Sequence, residues 1–519
     1  MKRTAGIALL LLTLAASSAG AASLFETVGS PDLMHPFNLR VIALGPEAAY
    51  YNPALLIGQK DQLKLGFGMS AGDFNIAYMS KDPRYDVPGE IRDRNSSLIT
   101  HDGAEVPLED KRYTPLPTED LIHKRGSYET KSMMDHPDFL NFYTLLAGNM
   151  SWFDGWLAGA LYVELPASQL TGQVPYYPDE RDQFFGNSLH FELFGDRLES
   201  FHLVMALAGK VGDWLSLGAG ATVGVQAVAD IGVYVADASS PEYLLFDPAI
   251  SVHALPLFAP HFGFVITPID DLAITGTIHL PNLNFDFDLD VDIQVRGFDS
   301  LYDDDPNNPG KKLKWLDSGL RTNYGNDPLR FSLGVMYSFP KVEGWRISLV
   351  ANALYTMWSQ YRDRHAERPL DTWKDTVKPA FGVNVASEDR EFGFDWTYHM
   401  SPVPDQTGRS NYVDNDRLAF AIGYTEFFKF EKFTLAGGMS FQTQILLKRT
   451  TVKTRTEEGY ASAADAPYNS VVDEYPEMTD PEGDVYPGSV GFQTNNPGFP
   501  GYWTRGVLFG SGIFAKFIF

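Results

Sequence analysis

The sequence predicts an all-β protein built as a membrane-spanning antiparallel barrel, and three observations carry that prediction. Short segments of alternating apolar and polar residues recur along the 519-residue chain almost to its end. The connections between them take turns, one tight and the next long, polar and rich in Pro, Gly and Asp, as in outer-membrane barrels with short periplasmic turns and large outer loops. The chain also opens like a secretory signal and stops on a strand whose last residue is Phe519.

In chain order, Lys2 and Arg3 precede an apolar stretch from Ala5 to Ala16. The small residues of "SSAGAAS" then suit cleavage near Ala21 or Ala22, so 1–22 reads as a signal peptide. Alternating segments follow at 63–70, 74–79, 155–164, 201–209, 214–227, 259–267, 272–280, 283–295, 328–339, 345–358, 377–386, 391–399, 417–428, 433–447 and 506–519. Tight joints include "WFDG" (152–155), "VGD" (211–213), "PIDD" (268–271) and "SEDR" (387–390). The long joints are 81–139, 165–198, 228–258, 296–326, 401–415 and 448–505. In the final "GIFAKFIF", Ile513, Ala515, Phe517 and Phe519 share one face and Lys516 takes the other.

The stretch "FDFDLDVDI" (285–293) shows why strands are demanded. Aspartates at 286, 288, 290 and 292 alternate with Phe285, Phe287, Leu289, Val291 and Ile293. A helix would scatter both sets around its circumference, whereas a strand places each on one face. The stretch continues the strand that begins near Leu272, interrupted at Pro281. The combined run is longer than the roughly ten residues a tilted membrane strand needs, so 285–293 should rise above the bilayer. A row of carboxylates facing deep lipid is excluded by its cost.

Composition narrows the function classes. A formal charge of −25, from 41 basic and 66 acidic residues, argues against nucleic acid as a partner. The chain contains no cysteine, which removes disulfides and thiolate metal sites. Beyond the signal no segment approaches the roughly 18 consecutive apolar residues of a transmembrane helix. "GMSAG" (68–72) matches the nucleophile-elbow pattern around Ser70, but that elbow needs a strand turning into a helix, and "FNIAYM" follows instead. The histidines are scattered, "DDDPNNPG" (303–310) lacks EF-hand spacing, and "GAGATVG" (218–224) is a strand whose small residues admit a close backbone. We therefore expect no enzyme, no catalytic residue, no cofactor and no metal site.

Three motifs go further. "LGPEAAYYNPALLIGQKDQLKLGFGMS" (44–70) resembles the N-terminal plug and first strand of the FadL-type family of outer-membrane transporters for long-chain fatty acids and other hydrophobic compounds. Its Asn-Pro-Ala signature stands as Asn52, Pro53 and Ala54. "LYTMWSQYRD" (354–363) is similar to the family's "WSQ" strand. "SPVPDQTGRSNYVDNDRLAFAIGY" (401–424) is similar to its "SPVP…D-x-D-R" passage, with Asp414, Asp416 and Arg417 in place.

The resemblance implies a monomeric barrel of about 14 strands in the outer membrane of a Gram-negative bacterium, in contact with outer-membrane lipid and lipopolysaccharide. It divides the chain into the signal peptide, an N-terminal hatch in the lumen (23–60) and the barrel with long outer loops (61–519). Hydrophobic small molecules would be captured among the loops, enter the lumen and leave sideways beside a kinked third strand. Here that strand is 155–164, followed by Glu164-Leu165-Pro166. Proline there either marks the opening or merely ends the strand. Asn52 and Pro53 should lie inside the barrel beside the third strand, near 159–166.

The resemblance makes Tyr243, Leu244, Leu245 and Phe246 of one outer loop, and Phe298, Leu301 and Tyr302 of the next, candidates for ligand capture. Trp358, Tyr361 and Arg362 are further ligand-binding candidates. Relatives that bind fatty acids offer a lumen base to the carboxylate, yet the matching fifth strand (214–227) supplies only Gln226. Fatty acids, other lipids and aromatic hydrocarbons all stay open as ligands. So does a non-transporting barrel that anchors partners for secretion or motility machinery at the surface, and a plain diffusion porin if no hatch fills the lumen.

Overall fold

The computed structural model describes residues 33–42, 44–79, 139–166, 201–235, 246–281, 327–362, 371–406, 411–453 and 498–519, with 26, 29, 176–177, 189–191, 193, 283–284 and 368–369 besides. Fourteen strands form the barrel. They are β1 (Gln62–Tyr78), β2 (Phe139–Trp152), β3 (Leu157–Pro166), β4 (Phe201–Val211), β5 (Leu215–Val235), β6 (Phe246–Ile269) and β7 (Leu272–His279). Then come β8 (Arg330–Ser338), β9 (Arg346–Thr356), β10 (Thr376–Ala386), β11 (Arg390–His399), β12 (Arg417–Lys429), β13 (Thr434–Val452) and β14 (Gly501–Ile518). Each pairs antiparallel with its sequence neighbours, and β1 pairs with β14 from Gln62↔Ile518 to Tyr78↔Tyr502. That last ladder closes the cylinder, so no barrel edge is left unpaired in the membrane.

The physical reason lies in the two-residue period. Along β1, Leu63, Leu65, Phe67 and Met69 are exposed while Gln62, Lys64, Gly68 and Ser70 between them are buried. The same outward row continues in Leu333 and Val335 of β8, Phe392 and Phe394 of β11, and Ile513 and Phe517 of β14. The inward row is polar, with Asn149, Asn352, Asn384, Thr397 and Gln444 all buried. An apolar outside around a polar inside is inverted for a protein in water and is what a bilayer selects. No helix among the described residues is long and apolar enough to cross a membrane.

Tight turns close one end of the barrel. Phe153 and Asp154 both take φ 55°, followed by Gly155 at φ 82°, the left-handed backbone that matches hairpin twist. The other end carries the long connections. β1 is one continuous strand rather than two segments, so "GMSAG" has no helix after it and forms no elbow.

Two boundaries differ from expectation. β5 runs on to Val235 and β6 begins at Phe246, so much of the expected loop 228–258 is paired strand. Phe246 is therefore a strand residue opposite Val235. β7 breaks after His279 and resumes at Leu283–Asn284 against Leu257 and Phe258, in line with the expected interruption at Pro281. The acidic stretch 285–293 lies outside the described residues.

The segment from Leu33 to Ile57 fills the interior. It contains a short helix α1 (Ala48–Tyr51) and a 3-10 turn (Pro53–Leu56). Asn52 begins that turn, its Oδ1 accepting from the Ala54 N–H at 3.2 Å while Pro53 supplies a preset first φ. Leu33, Leu39, Ala49, Tyr51 and Leu56 pack on Leu145, Tyr162 and Val204 of β2–β4. Burying side chains of this size stabilises the seat by roughly 1.5–3 kcal/mol each. On the far wall Met34 packs on Gly423, His35 on Gly393, Asn38 on Gly382 and Val41 on Gly334.

Candidate functional site

Asn52 and Pro53 are held by two glycines. A Cβ on Gly263 of β6 would lie 2.1 Å from Asn52 Oδ1, and one on Gly218 of β5 would lie 2.5 Å from the Pro53 carbonyl carbon. Only glycine lets the segment approach so closely. The small residues of "GAGATVG" thus do admit a backbone. Asn52 Nδ2 donates to the Arg40 carbonyl at 3.1 Å and to the Phe264 carbonyl at 3.4 Å. The expected place beside the third strand is therefore corrected: Asn52 and Pro53 lie inside the barrel against β5 and β6. The residues that face β3 are those of α1, whose Tyr50 and Tyr51 share an apolar cluster with Ala158 and Tyr162. α1 and the 3-10 turn form one compact unit, which places Asn52, at its joint, one wall further on.

β3 itself reaches Pro166, which pairs with Tyr143 of β2. Its pairing with β4 ends earlier, at Glu164↔His202. The ladder thus stops first on the β4 side, two residues before the proline. Glu164 is buried.

Toward the long-loop end, strands β8 to β12 enclose a cavity lined by Arg330, Lys378, His399 and Arg417, with Thr356, Thr376, Leu354, Trp358, Met400 and Pro402. Arg330 pairs with Asp327, and Arg417 Nη1 donates to Gln444 Oε1 at 3.4 Å. Lys378 Nζ donates to the Glu26 carbonyl at 3.2 Å and lies 4.0 Å from its carboxylate. Glu26 enters the cavity from the N-terminal segment. Its Oε1 pairs with Arg40 Nη2 and accepts from the Tyr50 hydroxyl at 2.9 Å. Burial disfavours this carboxylate's charge, but Arg40, Arg330 and Lys378 outweigh that and hold its pKa well below the usual range.

An aromatic cluster roofs the cavity. Tyr361 stacks on Trp373 at 3.8 Å, Trp358 leans on Trp373 at 5.6 Å, and Tyr412 meets Trp373 edge-on at 5.6 Å. Trp358 opens the "WSQ" turn after β9, whose Ser359 N–H donates to Asp375 at 2.8 Å. Trp358 belongs to both cluster and cavity, so it joins an apolar surface to a basic one. Arg362 is half-buried beyond Tyr361 and does not line the cavity.

Tyr243, Leu244, Leu245, Phe298, Leu301 and Tyr302, like the signal peptide 1–22 and the acidic loop 303–310, lie outside the described residues. Sequence reading missed Arg330, Lys378 and Glu26. It quoted Arg417 within a motif without giving it a role. The signal was present, since Arg330, Ser332 and Gly334 alternate with Phe331, Leu333 and Val335, which places the arginine on the inward row. The search for a lumen base took in the fifth strand and Arg362 beyond the "WSQ" turn, whereas the bases stand on β8, β10 and β12.

No protein-family model and no curated protein matches the chain. Among solved structures it is similar to a Pseudomonas aeruginosa FadL homologue, with TM-score 0.46 and 15% identity over 96% of this chain and 99% of that one. It is similar to the Pseudomonas putida toluene transporter TodX, with TM-score 0.37 and 8% identity over 96% and 98%. A third is the CymD monoaromatic hydrocarbon channel, with TM-score 0.37 and 9% identity over 92% and 94%.

Proposed function

We propose that the chain is a FadL-type outer-membrane channel of a Gram-negative bacterium, a monomer that passes hydrophobic small molecules inward without an energy source. The observation that carries this reading is a stoppered lumen beneath a cavity part aromatic and part cationic. A diffusion porin keeps a continuous water-filled path, and residues 33–57 occupy that path here. An apolar molecule gains nothing from such a path, but it is retained by a greasy surface such as that of Trp358, Leu354 and Met400.

Arg330, Lys378 and Arg417 make an amphipathic ligand with an acidic head, such as a long-chain fatty acid, the favoured cargo over a neutral aromatic hydrocarbon. In this reading the outer loops, with Tyr243, Leu244 and Leu245 of one and Phe298, Leu301 and Tyr302 of the next, make the first capture, and Phe246 stands at the strand end beside them. The segment around Asn52, Pro53 and Ala54 acts as the hatch, and the ligand leaves sideways near Glu164 and Pro166.

The test is mass spectrometry of lipid retained by the purified protein, together with uptake of a fluorescent fatty acid into vesicles carrying it. Retained fatty acid and uptake above empty vesicles are expected. An unloaded protein with uptake equal to empty vesicles would turn the reading toward a surface anchor. Free passage of small polar dyes would make it a porin.

A further inference from the structure

Beside Glu26 the cationic cavity has a free volume of about 50 Å3. That is room for a few water molecules, not for a second head group with part of its chain. Glu26 and an anionic ligand therefore compete for the same place. The carboxylate that fills the cavity belongs to the chain itself and arrives on the N-terminal segment. Arg330 Nη1 and His399 Nε2, both buried, have no hydrogen-bond partner among the described residues.

The contacts of Glu26 continue into that segment. Its carboxylate pairs with the Arg40 guanidinium, and the Arg40 carbonyl accepts from Asn52 Nδ2 at 3.1 Å. Asn52 in turn donates to the Phe264 carbonyl of the barrel wall. A continuous chain of polar contacts thus runs from the cavity to the residue wedged against Gly263.

Resting on the reading of the lumen as a path for acidic amphiphiles, we infer that Glu26 is a tethered surrogate for the ligand's carboxylate. It occupies the Arg330–Lys378–Arg417 cavity in the closed state, and an incoming carboxylate displaces it. Displacement takes from Arg40 and Tyr50 the carboxylate they share, and so loosens the segment at Asn52. The ligand's own head group is then the signal that opens its path, and a neutral chain of equal length lacks it.

The experiment compares laurate with dodecanol, which share a chain length and differ in the head, on wild type and on Glu26→Gln. The glutamine keeps the shape and can still accept from Arg40 and Tyr50. Retention of the barrel is checked by the band shift between unheated and boiled samples. If the surrogate holds the cavity nine-tenths of the time, Glu26→Gln binds laurate about tenfold more tightly while dodecanol binding is unchanged. In wild type, laurate speeds amide hydrogen exchange across 33–42 and dodecanol does not.

Laurate binding by wild type that Glu26→Gln leaves equal or weaker overturns the surrogate while the channel reading stands. An equal gain for both probes also overturns it, because charge is then not the cause. Binding of neither probe by either protein overturns the surrogate and the channel reading together.

Discussion

The His35 imidazole bonds through Nδ1 to the Asp395 carboxylate at 2.8 Å, tying the N-terminal segment to β11 across 360 positions of sequence. Asn384 Nδ2 donates to Glu391 at 2.8 Å, which turns Asn384 Oδ1 toward His35 Nε2 at 3.2 Å. Both ring nitrogens therefore face acceptors, the arrangement of a protonated imidazole. Burial opposes that charge, and Asp395, helped by Asn384 and Glu391, outweighs it and raises the His35 pKa above its ordinary value.

A raised pKa fixes the sign of a pH dependence. The contribution of His35 is complete below the unfolded value of about 6.5 and is lost as pH rises through the higher folded value. Amide exchange of residues 33–42, corrected for base catalysis, should accelerate as pH rises through that range. His35→Gln should flatten the profile, and a wild-type profile already flat would remove the His35–Asp395 lock from the account.

Glu47 is a second tie, 3.8 Å from both Lys64 and Lys516. Burial pushes its pKa up, but the two lysines outweigh it and bring it below the ordinary value. This contribution is present above the unfolded pKa and fades as pH falls through the lower folded one. Glu47→Leu leaves two ammonium groups facing each other without their acid, at a cost of about 3–5 kcal/mol. The segment should become sensitive to protease in an otherwise intact barrel, and adding Lys64→Met should restore part of the protection. Equal protection in all three proteins would mean that the tie contributes nothing.

Gly263→Ala tests the close approach at Asn52. Its Cβ meets the Asn52 side chain well inside van der Waals contact, and the β6 backbone cannot retreat within a paired sheet. The segment should lift from β6 and vesicles should leak small polar dyes, while the barrel stays resistant to heat. Dye retention equal to wild type would show that Asn52 finds another seat.

Asn52→Ala with Pro53→Gly removes the bonds to Arg40 and Phe264 and the preset φ, leaving buried groups unpaired at about 1–3 kcal/mol each. With the segment loosened at Asn52, uptake of a hydrophobic probe should rise in a folded barrel. Uptake unchanged in the inserted variant would sink the gating role.

Trp358→Ala should weaken binding of laurate and dodecanol alike, by about tenfold for the roughly 1.5 kcal/mol of apolar contact removed. A loss confined to laurate would place Trp358 with the charged end of the cavity rather than the apolar one.

Much of the molecule was legible in the sequence because a strand repeats every two residues. Leu63, Leu65, Phe67 and Met69 against Lys64 and Ser70 declare both a strand and its lipid face. The alternation of short and long joints declares an up-and-down barrel, and "GIFAKFIF" orients its last strand correctly, with Lys516 inward. Asn52, Pro53 and Ala54 were placed in the lumen by the resemblance of 44–70 to a plug segment, not by local periodicity.

What only the tertiary structure decided is which inward residues meet. Arg330, Lys378 and Arg417 are each readable as inward-facing, yet their convergence depends on the register of five neighbouring strands and on the curvature of the closed wall. Neither is encoded within one strand's pattern. Glu26 carries no local signal, because nothing near it in sequence says which cations it will face. Asn52 was assigned to the lumen but to the wrong wall, beside the third strand, since Gly218 and Gly263 become its seat only once β5 and β6 stand side by side. Local periodicity sets the direction of a side chain; long-range pairing sets its company, and the chemistry of this lumen lies in the company.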